Sequence, residues 1–387
     1  MGYFLPYESL PHLKEYKYQS EDRSIISKYI LKPFWIKFEP IFPMWMAPNV
    51  VTLLGLVFIL VNLATVFYYD PFLVGEQPTW TYFSYALGLF LYQTFDACDG
   101  IHARRTGQSG PLGELFDHCV DAVNTTLSTI VVASAIGMGY SWLLVIAQFG
   151  TLANFYLSTW EEFHTHKLFL SEFSGPVEGI LIVIAIFIIT GITGPGIWKY
   201  EFAQLNLSSV GLDDSIAVTP MLCFVVFSAV SLYFNIDSAR RNVDKYYADS
   251  KLSLKAYKGL VPFFVYYLSV FAWLLYNPII VDQYLLPFVL TIGLTLAFNV
   301  GRIIIGHLTK QPFPNSTPSS FIPLAEFLIH LLLTKLGYTD PLLTGYLVWT
   351  GFGLSLGFHA MFITEIIYEI TIYLDIYALS IKYPKKE

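Results

Sequence analysis

Residues 94–121 read TFDACDGIHARRTGQSGPLGELFDHCVD, an acidic stretch between two long apolar runs. Asp96 and Asp99 are three residues apart, and Asp117 and Asp121 are four apart, so each pair shares one face of a helix. Carboxylates in a membrane helix are costly and normally face a cavity or a partner. The stretch therefore predicts two helices, joined by a tight turn, whose acidic faces meet at one end of a helical bundle.

The composition on both sides of this stretch is that of a membrane protein. Of the 387 residues, 55% are hydrophobic and 13% are charged, against about 25% charged residues in ordinary soluble domains. The mean hydropathy is +0.55, and the net charge is −7. These values exclude a disordered chain, a coiled coil and an ordinary soluble enzyme, and the acidic balance argues against nucleic acid as a partner.

The apolar runs have the length that crosses a lipid bilayer as a helix, which is about 17–25 residues. They are too long and too uniformly apolar for the strands of a membrane β-barrel. We therefore expect an all-α polytopic membrane protein with about ten transmembrane helices. The expected spans are residues 49–69, 80–100, 114–138, 141–159, 176–194, 216–236, 259–280, 284–307, 320–336 and 343–372.

The distribution of basic residues indicates the orientation in the membrane. Only Lys199 and Lys335 of the 22 lysines and arginines lie outside the N-terminal segment, alternate loops and the C-terminal tail. Because basic residues concentrate on the cytosolic side, ten helices place both termini and the acidic stretch in the cytosol. Residues 20–44 carry apolar side chains at helical spacing with lysines between them, which predicts an amphipathic interfacial helix. A cytosolic helix packed on the bundle is the alternative.

The acidic stretch suits a metal site. Four carboxylates in close contact repel one another, and the hard divalent cations Mg²⁺ or Mn²⁺, which prefer oxygen ligands, remove that repulsion. Two such ions clamp the oxygens of an in-line phosphoryl displacement. Arg104 is placed to bind phosphate, and Gly100 and Gly113 leave room for a ligand against the backbone. A structural acidic cluster or a proton pathway is the alternative.

The same stretch carries a resemblance to a known family. The pattern D-x2-D-G-x2-A-R-x8-G-x3-D-x3-D resembles that of the CDP-alcohol phosphotransferases, and the length and the four helices after residue 240 are similar to the eukaryotic choline/ethanolamine phosphotransferase branch, above all its fungal members. The resemblance implies a cytosolic N-terminal segment with the interfacial helix (1–45), a catalytic core (46–240) and additional helices with a cytosolic tail (241–387). The matching positions are Asp96, Asp99, Gly100, Ala103, Arg104, Gly113, Asp117 and Asp121.

The activity that this resemblance implies is a magnesium-dependent transfer of phosphocholine from CDP-choline to the hydroxyl of 1,2-diacylglycerol, which gives phosphatidylcholine and CMP. Use of CDP-ethanolamine, alone or as a second donor, is the first alternative. A branch that uses CDP-diacylglycerol as donor and a cation-binding transporter are more distant alternatives. The branch also implies a homodimer in the membrane of the endoplasmic reticulum or the Golgi.

The resemblance further implies roles for single residues. Asp96, Asp99 and Asp117 ligate two metal ions, and Asp121 ligates one of them or lies near the acceptor. His118 is the expected base for the acceptor hydroxyl, because imidazole exchanges protons near neutral pH. Asp121 is the alternative base, and His118 then only orients Asp117. The residues implied to line the CDP site are Gly100, Ala103 and Arg104.

Two further groups of residues are candidates for the substrate site. Asn49 and Thr52 open the first span and are similar to a family element near the nucleotide phosphates, although an N-cap is an equal alternative. Trp160, Glu162 and Glu178 border a cytosolic loop. Because aromatic faces and carboxylates bind quaternary ammonium, these three could form a head-group pocket for choline.

Overall fold

The computed structural model describes residues 2–17, 19–22, 24–170, 175–206, 215–338 and 340–385. Within these ranges the chain is almost entirely helical, which confirms the all-α prediction. The helices are α1 (Lys32–Phe38), α2 (Pro48–Tyr69), α3 (Thr79–Thr106), α4 (Pro111–Ile136), α5 (Trp142–Thr165), α6 (Pro176–Thr193), α7 (Pro220–Tyr247), α8 (Ser250–Tyr257), α9 (Val261–Tyr276), α10 (Ile279–Gln283), α11 (Leu285–Leu308), α12 (Ile322–Lys335) and α13 (Pro341–Leu374). The strands are β1 (Ser20–Asp22), β2 (Leu168–Leu170), β3 (Ala203–Asn206) and β4 (Ser215–Val218).

Ten of these helices lie on the ten predicted spans, namely α2 to α7, α9 and α11 to α13. In the described part of the chain, seven helical segments are long and apolar enough to cross a membrane: α2, α4, α6, α7, the α8–α9 region, α11 and α13. The remaining three are shorter or more polar, since α12 has 14 residues and both α3 and α5 carry charged side chains in their last turns. The polytopic membrane class is therefore confirmed.

A four-residue turn, residues 107–110, joins α3 to α4 and sets the geometry of the acidic stretch. Gly107 ends α3 in the left-handed region with φ of 72°, which glycine adopts without a steric penalty. Pro111 then opens α4 at a position where its missing N–H costs nothing. The two helices are thus antiparallel neighbours, and their acidic ends lie side by side.

The N-terminal segment differs from the predicted helix over 20–44. Residues 20–22 instead form β1, which pairs in parallel with β2, so that helical backbone begins only after this strand. It then runs through a π-helical turn (Ser27–Leu31), α1 and a 3₁₀ turn (Glu39–Ile41). Trp35 is buried, whereas Tyr29 and Ile30 are 68% and 65% exposed. This segment therefore has an apolar exposed side, and its position at a membrane surface stays a prediction.

Helix α11 lies at the centre of the bundle and joins the two halves of the chain. A Cβ added at Gly293 would lie 2.4 Å from Oγ1 of Thr126 in α4, so glycine at this position permits the close approach of the two helices. Gln148 of α5 donates a hydrogen bond to the Val289 carbonyl at 2.8 Å. The C-terminal helices thus pack directly on the helices of the acidic stretch. The expected boundary at residue 240 falls inside α7.

Candidate active site

Helices α3 and α4 bring three carboxylates together, as their spacing predicts. Asp96, Asp99 and Asp117 each place one oxygen within 4.8 Å of the other two. Asp121, one turn further along α4, accepts a hydrogen bond from the hydroxyl of Tyr92 on α3. We call these four aspartates the acidic site. It lies within about the last three turns of α3 and the first three turns of α4.

The acidic site contains oxygens that lack a partner. Among the described residues, Oδ1 of Asp96 and Oδ1 of Asp117 are buried without any hydrogen bond. A buried polar group without a partner costs about 1–3 kcal/mol, and more if it is charged. A divalent cation with a preference for oxygen would satisfy both atoms and remove the repulsion between the carboxylates. The residues present therefore fit a hard divalent metal, because all of the donors at this point are oxygens.

The first turn of α2 packs against the acidic site. The Thr52 hydroxyl donates to Oδ2 of Asp99 at 2.5 Å, which fixes the orientation of that carboxylate. Asn49 faces the first turn of α4, where a Cβ added at Gly113 would lie 3.9 Å from its Oδ1. Neither residue caps α2, whose N-cap is Ala47 without a side-chain hydrogen bond. The N-cap alternative for Asn49 and Thr52 is therefore wrong.

The basic residues at the end of α3 point in two directions. Arg104 is exposed, and its Nη1 lies 3.6 Å from the position of a Cβ added at Gly100. Its guanidinium is therefore at the edge of the acidic site, beside a residue without a side chain. Ala103 is only half-buried and leaves that edge uncrowded.

His102 and Arg105 turn instead toward the N-terminal segment. Nδ1 of His102 lies 2.7 Å from Oε1 of Glu39, and Nη1 of Arg105 lies 3.0 Å from Oε2 of the same carboxylate. Nε2 of His102 also lies 2.9 Å from the Met46 carbonyl. We call Glu39, His102 and Arg105 the Glu39 latch. It fastens the last turn of α3 to the segment that precedes α2.

His118 has the geometry of a proton acceptor. Its Nδ1 donates to the carbonyl of Glu114 at 2.9 Å, since a carbonyl can only accept. A neutral imidazole then has its lone pair on Nε2, which lies 3.8 Å from Oε2 of Glu162. The distance from Nδ1 to Asp117 is 4.0 Å, too long for a hydrogen bond. His118 therefore does not hold Asp117 by a hydrogen bond, and its role as base stays a prediction.

The three residues expected to bind the head group each contact different parts of the protein. Trp160 is fully buried, stacks on Tyr257 and donates its indole N–H to the Ala256 carbonyl at 2.9 Å. These contacts favour a packing role between α5 and α8. Glu178 is buried at the start of α6 and accepts a hydrogen bond from Ser24. Of the three, only Glu162 is placed beside His118.

The structure adds residues that the sequence reasoning missed. Tyr92 lies four residues before Asp96, so the helical spacing could have placed it on the acidic face of α3. Glu114 and His307 each place a ligand atom within 4.8 Å of Glu162 and of each other. His307 belongs to α11, almost two hundred residues away from α4 in the sequence, and no local pattern indicates this contact.

Comparison with known proteins places the chain among lipid-synthesising transferases. The CDP-alcohol phosphatidyltransferase family matches residues 45–208. Over the full length of both chains, the protein is 51% identical to cholinephosphotransferase 1 and 53% identical to choline/ethanolaminephosphotransferase 1, both of Saccharomyces cerevisiae. It is 34% identical to choline/ethanolaminephosphotransferase 2 of Arabidopsis thaliana, over 98% of this chain and 99% of the plant protein.

Proposed function

Because the chain belongs to the CDP-alcohol phosphatidyltransferase family, we propose that it transfers phosphocholine from CDP-choline to the hydroxyl of 1,2-diacylglycerol, giving phosphatidylcholine and CMP. The observation that carries this proposal is the convergence of Asp96, Asp99 and Asp117, with two buried oxygens that lack partners. The full-length identity to two yeast enzymes of this chemistry supports it.

CDP-ethanolamine is the second candidate donor. The relative with 53% identity is named for both choline and ethanolamine, whereas the one with 51% identity is named for choline alone. Both donors therefore enter the experiment below.

The acidic site is the proposed metal centre, with Mg²⁺ or Mn²⁺ as the ion and two ions as the number. Asp96, Asp99 and Asp117 would hold them, and Asp121 would complete the set from the next turn of α4. Bound there, the metal ions would offset negative charge on the phosphoryl oxygens. Thr52 keeps Asp99 in a fixed orientation for that purpose.

The donor phosphates are proposed to lie between α2 and the end of α3. Arg104 supplies a guanidinium at that edge, whose donor fork matches phosphate oxygens. Gly100, Ala103 and Gly113 keep the same edge free of bulky side chains. Asn49 contributes an amide from the first turn of α2.

Proton transfer is assigned to His118. Its Nε2 accepts the proton of the diacylglycerol hydroxyl while that oxygen attacks the β-phosphorus of the donor. The bond from this phosphorus to the bridging oxygen breaks, and CMP leaves with the electron pair. Glu162, 3.8 Å from Nε2, stabilises the imidazolium that forms. Asp121 remains the alternative base.

An apolar cavity beside the acidic site suits the acceptor. It has a volume of about 220 Å³ and lies between α2, α4 and α13. Leu53, Phe116 and Val120 line it, and each is adjacent in sequence to a residue of the proposed site. The walls are apolar except at His359. We assign this cavity to part of an acyl chain, because a lipid acceptor reaches the site from the bilayer and not through water.

The cellular setting forms part of the same proposal. The apolar helices make the chain a membrane protein. Residence in the endoplasmic reticulum membrane, or the Golgi, with both termini and the acidic site in the cytosol, follows from the positions of the lysines and arginines and from the branch. A homodimer is proposed on the branch alone.

Trp160 is left outside the proposed site because its ring is fully buried.

The test uses purified protein in liposomes that contain diacylglycerol and Mg²⁺. CDP-choline and CDP-ethanolamine are offered separately, and phospholipid formed per CMP released is recorded. We expect a ratio of one with CDP-choline and no product from an Asp117→Asn control. Equal rates with both donors would establish a dual enzyme. Absence of lipid product with either donor would contradict the proposal and favour a CDP-diacylglycerol enzyme or a cation transporter.

A further inference from the structure

The chain after α13 folds back across the acidic end of the bundle. Asp375 ends α13 in the left-handed region with φ of 55°, so the backbone turns away from the helix axis. We call residues 375–385 the C-terminal strap. The Asp375 carboxylate accepts hydrogen bonds from the ammonium of Lys382 and, at 2.5 Å, from the hydroxyl of Tyr383. These bonds close the strap into a loop, and the bond from Lys382 holds the pKa of Asp375 below its usual value.

The strap contacts two of the elements that border the proposed donor site. The Ala378 carbonyl accepts a hydrogen bond from Nδ2 of Asn49 at 3.0 Å. The Tyr383 carbonyl accepts one from Nε2 of Gln108, also at 3.0 Å. The side chain of Lys385 lies along Gly107, 3.6 Å from the position of an added Cβ. The strap thus spans from the first turn of α2 to the turn that joins α3 and α4.

Apolar packing holds the strap in this place. Ile376 and Ala378 pack against the buried cluster that contains Leu112 and Leu115 of α4. The strap is therefore held both by apolar packing of Ile376 and Ala378 and by hydrogen bonds to the carbonyls of Ala378 and Tyr383.

We infer that the C-terminal strap is a fixed wall of the donor site, which positions Asn49 and the α3–α4 turn for the diphosphate of a cytidine nucleotide. This inference rests on the proposed function for the identity of the donor. The Ala378 carbonyl takes one hydrogen of the Asn49 amide and so leaves the other for a ligand. The side chain of Lys385 lies near Gly107 and the guanidinium of Arg104 lies near Gly100, and two cations at this end of α3 favour a diphosphate.

The main test compares the full chain with a chain that ends after Leu374. Removal of the strap frees the Asn49 amide to rotate and loosens the α3–α4 turn. We expect the KM for CDP-choline to rise about tenfold, the change that corresponds to the loss of one well-placed hydrogen bond to a charged group. The KM for diacylglycerol should not change. A parallel rise in both KM values, or no rise in either, would overturn the inference.

Point variants keep the test decisive if the shortened chain does not fold. Asp375→Ala opens the loop of the strap, and it should raise the KM for CDP-choline in the same selective way, about threefold because the apolar packing persists. The double variant Asp375→Lys with Lys382→Asp restores the ion pair but not the hydrogen bond from Tyr383, and it should recover part of the KM change. Asp237→Ala is the matched control, since it removes a half-buried carboxylate that pairs with Arg240 and Arg241 on α7. A KM change in the control equal to that of Asp375→Ala would contradict the inference.

Direct binding of CDP separates this inference from the proposed function, because CDP carries the diphosphate and cannot give a lipid product. Calorimetry of CDP binding in the presence of Mg²⁺, without diacylglycerol, reads the donor site alone. Weaker CDP binding after removal of the strap supports the inference even if no lipid is formed in the activity assay. Equal CDP affinity in the full and shortened chains overturns it, whatever the activity of the full chain.

Discussion

The last turns of α3 take part in two carboxylate clusters. An arginine side chain pairs with the carboxylate of one of them, whereas the other has no lysine or arginine partner among the described residues. In the Glu39 latch, one carboxylate meets an imidazole and a guanidinium at 2.7 and 3.0 Å. In the acidic site, three carboxylates lie within 4.8 Å of one another. In the described part of the chain, none of the four aspartates there forms an ion pair with a lysine or arginine.

The difference teaches which cluster is complete within the protein. The latch has donors for its acceptors, so its contribution is to hold α3 against the N-terminal segment. The acidic site has more acceptors than donors, which is the arrangement expected of the proposed metal centre. Substitutions in the acidic site should therefore lower the activity, whereas substitutions in the Glu39 latch should lower the stability.

The largest effect is expected from Asp117→Asn in the acidic site. It removes one charged ligand oxygen and keeps the shape of the side chain, so the protein should fold while CMP release falls by about 10³-fold or more. The measurement is Mg²⁺-dependent CMP release from CDP-choline with diacylglycerol. Activity within tenfold of the unsubstituted chain would contradict the assignment of Asp117 as a metal ligand.

His118→Ala should follow, with a fall in kcat of about 10²–10³-fold, which is the usual contribution of a positioned base. The discriminating measurement is the pH profile of kcat. If His118 is the base, its removal abolishes the acidic limb of that profile in the range where imidazole titrates. A lower kcat with an unchanged acidic limb would transfer the role of base to Asp121.

In the latch, Glu39→Gln should lower the free energy of unfolding by about 2 kcal/mol, since His102 and Arg105 lose a charged acceptor. Thermal unfolding in detergent measures the change. The KM for CDP-choline at a temperature where the variant is folded should stay the same. A loss of activity without loss of stability would show that the latch belongs to the active site.

The smallest effect has the opposite sign. Without metal, Asp96→Asn should raise the free energy of unfolding by about 1 kcal/mol, because it removes repulsion between charges less than 5 Å apart. Added Mg²⁺ should then stabilise the unsubstituted chain more than the variant. Thermal unfolding in the presence of a chelator and then of Mg²⁺ reads both parts. Destabilisation of the metal-free variant would mean that Asp96 makes a favourable contact within the protein.

Sequence alone sufficed for the helices and for the acidic faces, because both follow from local spacing. The i,i+3 and i,i+4 positions of the aspartates fix their faces, and a four-residue turn leaves little freedom in how the faces meet. The N-terminal helix was predicted too long because β1 depends on pairing with β2, which lies more than a hundred residues away.

The surroundings of Trp160, Asn49 and His307 could not be predicted for the same reason. The sequence predicts a head-group pocket that includes Trp160, whereas in the structure helix α8 supplies its hydrogen-bond acceptor and its stacking partner. The Asn49 amide finds its acceptor in the C-terminal strap. His307 reaches Glu114 and Glu162 only through the packing of α11. Each contact joins segments that share no sequence pattern.

The central position of α11 limits how this chain could be recombined with other members of its family. The family match ends at residue 208, which invites chimeras that exchange everything after that point. Yet α11 packs on α4 through Gly293 and on α5 through Gln148, so a crossover after residue 208 would replace the central packing partner of α4 and α5. A chimera that folds should therefore take α4, α5 and α11 from the same parent protein.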